Sequence, residues 1–273
     1  METIFKNLQE NPPLVHNITN YVTVNDCANI VLAAGGSPLM ADDIEEVGDI
    51  VSISSSLYIN VGTLNKRTIA SMIEAGKTAN AKGIPVVLDP VGMGASKLRN
   101  QAVEALTDQV RFSVIKGNMS EIKAMYTTCK NAGGVDVQEG DMISADTLEE
   151  AIALAKKVAV KFNSVVAVTG PIDIVTDGTR VKTVHNGHAK MSRITGTGCM
   201  TGSVIGTFCG ANPDQVLDAT ATAISVMGIA GEMAHKIVSD MGEGTGSFKR
   251  YLMDGVSLMT YEAFERGAAI EVR

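Results

Sequence analysis

Short apolar runs alternate with helical stripes along most of the chain. Ile84–Leu88 is apolar over the length of a strand and ends at Asp89; Phe112–Ile115 ends at Lys116-Gly117-Asn118, and Ser164–Val168 at Thr169-Gly170. Leu57–Val61, closing on Gly62, fits the same pattern. Runs that are apolar on both faces are what parallel strands covered by helices on each side require. Between them, Asn65–Lys82 places Ile69, Met72, Ile73 and Gly76 at helical spacing, and Gly83 follows as a stop. Leu98–Thr107, Ser120–Thr128 and Thr147–Lys161 read as further helices; in the last, Leu148, Ala151, Ile152, Ala155 and Val158 form one stripe.

This alternation predicts an α/β architecture with a largely parallel sheet. Asp173–Val175 and Val181–Val184, joined across Asp177-Gly178, predict a short antiparallel hairpin on one edge. From Gly198 onward the chain reads mostly as helix. With no repeat, low-complexity tract or Pro/Gly/Ser linker, residues 1–273 are expected to form one domain.

Composition narrows the function classes. Hydrophobic residues make up 45% of the 273 positions and charged residues 19%, and mean hydropathy is +0.15, which excludes a disordered chain. The net charge of −7 argues against nucleic acid, whose phosphates demand a basic surface. No Lys/Arg run exceeds two residues, so a polybasic membrane patch is not expected. The apolar stretches fall short of the ~20 residues that span a bilayer, and the first residues lack the pattern of a signal peptide. Cys27, Cys129, Cys199 and Cys209 are widely and irregularly spaced, which suits a reduced, cytoplasmic protein with free thiols.

Candidate chemistry gathers where the strands end, since ligands of open α/β sheets bind beyond the carboxyl ends of the strands. Those ends supply Gly62, Asp89, Lys116-Gly117-Asn118 and Thr169-Gly170, a mixture suited to an anion with a metal ion. Thr195-Gly196-Thr197-Gly198-Cys199 then precedes an apolar helical pattern carrying Val204, Ile205 and Phe208. Glycines let backbone N–H groups approach a ligand, and a helix start leaves donors unsatisfied, so this segment is a candidate anion cradle. An ordinary glycine-rich turn is the alternative. Neither a Walker A loop nor a dinucleotide fingerprint occurs.

Seven segments occur together and in order: His16–Val22, Gly35–Ala41, Asn60–Leu64, Val87–Gly92, Lys116–Ile122, Val168–Gly170 and Thr195–Cys199. In this combination the chain resembles the hydroxyethylthiazole kinase family of thiamine salvage, within the ribokinase-like superfamily. The resemblance implies a three-layer α/β/α fold with a mainly parallel central sheet flanked by helices. It also implies transfer of the ATP γ-phosphoryl group to the primary alcohol of hydroxyethylthiazole, with Mg²⁺ as cofactor, in a homotrimer with active sites between subunits.

Roles carried over from the family follow position by position. Asp89 and Glu121 match the acidic pair associated with Mg²⁺ and phosphates, as hard oxygen ligands suit that ion. Taken alone, Asp89 reads equally as a strand-end turn and Glu121 as a solvated helix residue. Lys116, Thr169 and Asn118 are the nucleotide-side candidates; many relatives carry arginine where this chain has Lys116, so a bidentate grip becomes one movable charge. Met40, Asn25, Gly62 and Gly196 match the thiazole site, although a methionine such as Met40 also serves as core filler. Gly196, Thr197, Gly198 and Cys199 form the catalytic loop. Sugar kinases of the superfamily place an aspartate base where this chain has Cys199. Phosphoryl transfer depends mainly on positioning and charge neutralisation, so Cys199 is expected to orient the hydroxyl and assist weakly.

Other candidates carry less. His16 and Asn17 lie in a family segment and could equally fix a loop. His185 and His188 lack the partners of a zinc site, His235 reads as structural, Glu139–Asp141 as a solvated loop, and Ser54-Ser55-Ser56 has no hydrolase-elbow context. Two other functions stay open: a kinase of this fold acting on another alcohol such as hydroxymethylpyrimidine, and a non-catalytic nucleotide sensor.

Overall fold

The computed structural model describes residues 1–129 and 147–273. Along the chain the elements are α1 (Glu2–Glu10), β1 (Leu14–Ile18), α2 (Val24–Ala33), β2 (Ser37–Leu39), α3 (Val47–Ser52), β3 (Ser56–Asn60), α4 (Lys66–Lys82), β4 (Val86–Asp89), α5 (Lys97–Gln109), β5 (Val114–Asn118) and α6 (Met119–Thr128). After the undescribed segment come α7 (Leu148–Phe162), β6 (Val165–Thr169), β7 (Asp173–Thr176), β8 (Val181–Val184), α8 (Thr197–Ala211), α9 (Val216–Met241), α10 (Thr245–Ser257), α11 (Tyr261–Gly267) and β9 (Ile270–Val272). The expected loop at Glu139–Asp141 lies outside the described residues.

The nine strands form one sheet in the order β2-β1-β3-β4-β5-β6-β7-β8-β9. From β2 to β6 every pairing is parallel; β7, β8 and β9 continue it antiparallel. The expected hairpin is therefore present, but it is not the edge, because Ile270–Val272 adds a strand beyond it. That strand also interrupts the expected helical C-terminal third.

Side chains alternate across the sheet, and each face carries its own core. Tyr58, Val87, Val114 and Ala167 pack with α1, α2, α8, α9, α10 and α11. Leu57, Ile59, Leu88, Ile115 and Val168 pack with α3 to α7. The result is the three-layer α/β/α arrangement expected from the sequence. Helix α9 is long and apolar enough to cross a membrane, contrary to the reading that no stretch is, but 78% of its most apolar window is buried inside the protein. It is the central helix of one covering layer, and serine, threonine and glycine positions such as Thr222, Ser225 and Gly228 break up its apolar runs.

Local chemistry sets the helix ends. Asn65 caps α4 and Asn118 caps α6, each in a reciprocal box with the residue three positions on, Thr68 and Glu121. Gly83 ends α4 in the left-handed conformation, as its position after Lys82 predicts. The four cysteines are free thiols.

Candidate active site

Strand alternation aims one polar side chain from each of several neighbouring strands at the face covered by α8. Tyr58 lies on that face, and two residues on, at the strand end, comes Asn60; Val87 is followed in the same way by Asp89, and Val114 by Lys116. Asn17 of β1 meets the same helix, its Oδ1 accepting from the Ser203 hydroxyl at 3.0 Å.

Helix α8 can come down onto these groups because it lacks side chains where it crosses β3. A Cβ on Gly202 would lie 2.4 Å from the Tyr58 ring, so any larger residue would lift the helix. Its N-terminus is preceded by Gly196, whose φ of +96° favours glycine, and a Cβ there would lie 2.8 Å from Thr23 Cγ2. No side chain caps this end. The amides of Thr197, Gly198 and Cys199 have no acceptor within their own helix and face the strand ends with the positive end of the helix dipole. The Thr197 hydroxyl is committed elsewhere, donating to the Met191 and Ile194 carbonyls at 3.1 and 3.3 Å. Only its backbone N–H is then offered at the helix start.

Below the helix start lies a connected polar network. The Asn20 amide donates to Asn60 Oδ1 at 2.9 Å, and the Asn60 amide donates to the Tyr58 hydroxyl at 2.8 Å. Tyr58 donates in turn to Asp89 Oδ2 at 2.9 Å, which also receives Lys116 Nζ at 3.2 Å. Asn20 Nδ2 and Asn60 Nδ2 each stand 3.3 Å from Cys199 Sγ, so two amides direct hydrogens at that sulfur. Lys116 Nζ passes close beneath the helix start, 3.2 Å from where a Cβ on Gly198 would be.

The electrostatics follow from burial. Burial pulls the Lys116 ammonium down, but Asp89, Glu121 and Cys199 outweigh it, and its pKa ends above the usual lysine value. Burial and the neighbouring Asp89 charge push Glu121 up, against the pull of its N–H donors and Lys116. Tyr58 is held well above its usual value, first by burial and then by Asp89, so it stays a hydrogen-bond donor. Asp173, at the start of β7, is pushed to about 7 by burial, opposed by the Gly170 N–H and Lys116.

Glu121 is not a solvated helix residue. Its two carboxylate oxygens accept from the backbone N–H groups of Gly92 at 2.8 Å and Asn118 at 2.9 Å. Asn118 Oδ1 is occupied by the Glu121 N–H and the Ser120 hydroxyl. Thr169 pairs in register with Asn118 at the adjoining strand end and is half-buried. Gly62 sits against Asn20 and Asn60, its N–H donating to Asn60 Oδ1 at 2.9 Å.

Met40 and Asn25 stand apart from the Cys199 network. Met40 follows β2, two strands along from β3, and is 36% exposed. Asn25 is exposed on α2 and pairs with Asn29; its neighbours Thr23 and Asp26 are the ones that meet Gly196. His16, buried on β1, binds the Ala41 carbonyl through Nε2 at 2.8 Å and so fixes the segment beside Met40. His188 and His235, far along the chain from this cluster, stack with centroids 3.5 Å apart.

The sequence pattern alone does not mark Asn20, Tyr58 and Asn60 as site residues. The available signal was Asn60 itself, a polar residue at the end of an otherwise apolar run, two positions after a tyrosine.

Asp89 Oδ1, at the strand end below the start of α8, is a buried acceptor with no hydrogen-bond partner among the described residues. A carboxylate oxygen in that condition fits a hard cation, and Glu121 keeps a free lone pair on each oxygen for a water. No group of three or more His, Cys, Asp or Glu side chains gathers around a metal position among the described residues. Mg²⁺ here would therefore draw the rest of its shell from water and phosphate, as it commonly does.

The mainly parallel sheet between two helical layers is a ribokinase-like fold. The fold matches a ribokinase-like superfamily protein from Enterococcus faecalis with a TM-score of 0.60 at 9% identity, covering 89% of this chain and 86% of that one. The hydroxyethylthiazole kinase family model matches residues 5–262, and this chain belongs to that family. It is 52% identical to a hydroxyethylthiazole kinase of Ruminiclostridium cellulolyticum, over 98% of this chain and 95% of the relative. The structure of a hydroxyethylthiazole kinase protein from Pyrococcus horikoshii superposes with a TM-score of 0.87 at 36% identity, covering 100% of both chains.

Proposed function

We propose that this protein transfers the γ-phosphoryl group of ATP to the primary alcohol of hydroxyethylthiazole, giving the thiazole phosphate used in thiamine salvage. The observation that carries the reading is the uncapped start of α8 set directly over the buried Lys116–Asp89 pair, with Cys199 between them and Asn20 and Asn60. Amides at a helix start and a neighbouring ammonium are what a transferring phosphoryl group needs, because its transition state is stabilised by fixed positive charge.

In this reading the alcohol oxygen attacks the γ-phosphorus and the bond to the β–γ bridging oxygen breaks, releasing ADP. Gly196, Thr197, Gly198 and Cys199 bind the developing charge through their backbone. Cys199, its sulfur already accepting from two amides, orients the alcohol and takes a minor share in removing its proton. Lys116, Thr169 and Asn118 serve the nucleotide. Asp89 and Glu121 would hold Mg²⁺, which neutralises phosphate charge when bound. Gly62, Gly196, Asn25 and Met40 border the acceptor.

Met40, Tyr21 and Val22 are exposed apolar residues, and they lie in the segments that the family assignment points toward the acceptor. A second subunit that covers these exposed residues would complete the acceptor site, and on that ground we read the protein as a homotrimer with sites between subunits. One domain over 1–273 is part of the same reading. Reliance on ATP and four free thiols support a cytoplasmic location.

The test is incubation with MgATP and hydroxyethylthiazole, alongside hydroxymethylpyrimidine and other alcohols, with mass detection of the phosphate ester. The thiazole ester is expected as the dominant product. Another ester in its place contradicts the acceptor, and ATP binding with no ester from any alcohol contradicts the catalytic reading.

A further inference from the structure

Arg99 has no part in the reading above, yet it ties together two loops on which that reading depends. It sits in the first turn of α5, where Ser96 caps the helix and accepts the Arg99 N–H at 3.3 Å. Its guanidinium donates to three backbone carbonyls. Nη1 reaches the Val61 oxygen at 2.7 Å and the Val91 oxygen at 2.6 Å, and Nη2 reaches the Gly62 oxygen at 2.6 Å.

Each carbonyl belongs to a loop already anchored to the site. Val61-Gly62 leaves β3 directly after Asn60, which also takes the Gly62 N–H at 2.9 Å. Val91-Gly92 follows β4 and Asp89, and the Gly92 N–H is held by Glu121 at 2.8 Å. The Arg99 head thus lies between the acceptor-side loop and the phosphate-side loop and binds both. Gly92 makes room for it, since a Cβ there would lie 3.2 Å from Arg99 Cδ and Nε.

We infer that Arg99 is a positioning residue that keeps the acceptor loop in register with the phosphate-side loop. The inference rests on the placing of Gly62 beside the acceptor and of Asp89 and Glu121 beside the phosphates. Charge-assisted bonds from one planar fork hold direction as well as distance. Register matters here because a shift of about 1 Å between reacting groups can cost about 10²-fold in rate. A lysine offers a single point of donors and cannot span the same three carbonyls.

Arg99→Ala and Arg99→Lys, with Gly62→Ala in parallel, test the idea through steady-state kinetics with MgATP and hydroxyethylthiazole and through melting temperature. Arg99→Ala is expected to lower kcat about 10- to 100-fold while the KM for ATP moves less than about 3-fold. Arg99→Lys is expected to restore part of the loss, and added guanidinium ion to rescue the alanine variant. Unchanged kcat in Arg99→Ala overturns the inference. So does a loss in which the KM for ATP and the melting temperature move together and lysine restores nothing. Should Arg99→Ala fail to fold, Arg99→Lys carries the test: lower kcat at unchanged ATP KM supports the role, and unchanged kcat overturns it. Gly62→Ala separates the premises, since an unmoved acceptor KM there refutes the placing of the acceptor itself.

Discussion

Lys116 Nζ lies 3.2 Å from Asp89 Oδ2, and the two side chains are 5% and 0% exposed. The pair is buried under α8, and Tyr58 and Asn60 supply the other donors to the same oxygen, Asn60 at 3.1 Å. Removing one partner leaves the other charge buried and uncompensated, which costs about 3–5 kcal/mol. Lys116→Met and Asp89→Asn are each expected to lower stability by that order in urea denaturation. The double variant is expected to lose less than the sum, because neither buried charge remains. Additive losses would show that the two do not act as a pair.

Asp173 gives a signed pH dependence. Its pKa rises from 3.8 to about 7 in the folded protein. Between those values the folded state keeps a proton that the unfolded state has released, so the stability this residue contributes is full at low pH and falls as pH rises through the window. Asp173→Asn still offers an oxygen to the Gly170 N–H, a bond of 2.8 Å in the native protein. Measured by denaturant midpoint at pH 4.5 and 7.5, the variant is expected to gain on the native protein by on the order of 2–4 kcal/mol across that range. A constant difference would contradict the burial argument.

Cys199 is expected to matter for orientation more than for basicity. Asn20 and Asn60 both direct an amide at its sulfur from 3.3 Å. Turnover of Cys199→Ala at saturating substrates is expected to fall about 10- to 10³-fold, within ordinary general-base assistance. A loss beyond about 10⁴-fold would assign the thiol a larger share.

Gly202→Ala probes how closely α8 must approach the sheet. The added methyl would sit 2.4 Å from Tyr58 Cε2 and 2.6 Å from its hydroxyl. Overpacking of this kind costs about 1–3 kcal/mol. Displacing the helix start from Lys116 is also expected to raise the KM for ATP. Stability lost with an unchanged KM would separate the helix position from nucleotide binding.

Three strand ends are legible because the apolar run stops at a polar residue: Asp89, Lys116 and Thr169 stand where the pattern breaks, whereas Leu57–Val61 closes on Gly62. Helix ends were nearly as clear, with Asn65 and Gly83 bracketing α4. The network linking them was hidden. Alternation aims Tyr58, Asn60, Asp89 and Lys116 at α8, but which strands are neighbours is set by the tertiary fold. Asn60 therefore reads in sequence as part of the apolar run Leu57–Val61. Glu121 reads locally as a solvated helix residue because nothing nearby in sequence shows that the Gly92 amide, 29 positions away along the chain, points at it. Strand β9 went unrecognised because three residues after a long helical stretch carry too short a pattern to read.

The most direct measurement is a crystal structure with a non-hydrolysable ATP analogue, Mg²⁺ and hydroxyethylthiazole bound together. The terminal phosphate is expected against the amides of Thr197, Gly198 and Cys199, within reach of Lys116, with the alcohol oxygen between it and the Cys199 sulfur. Phosphates seated at any other part of the sheet edge would contradict the account.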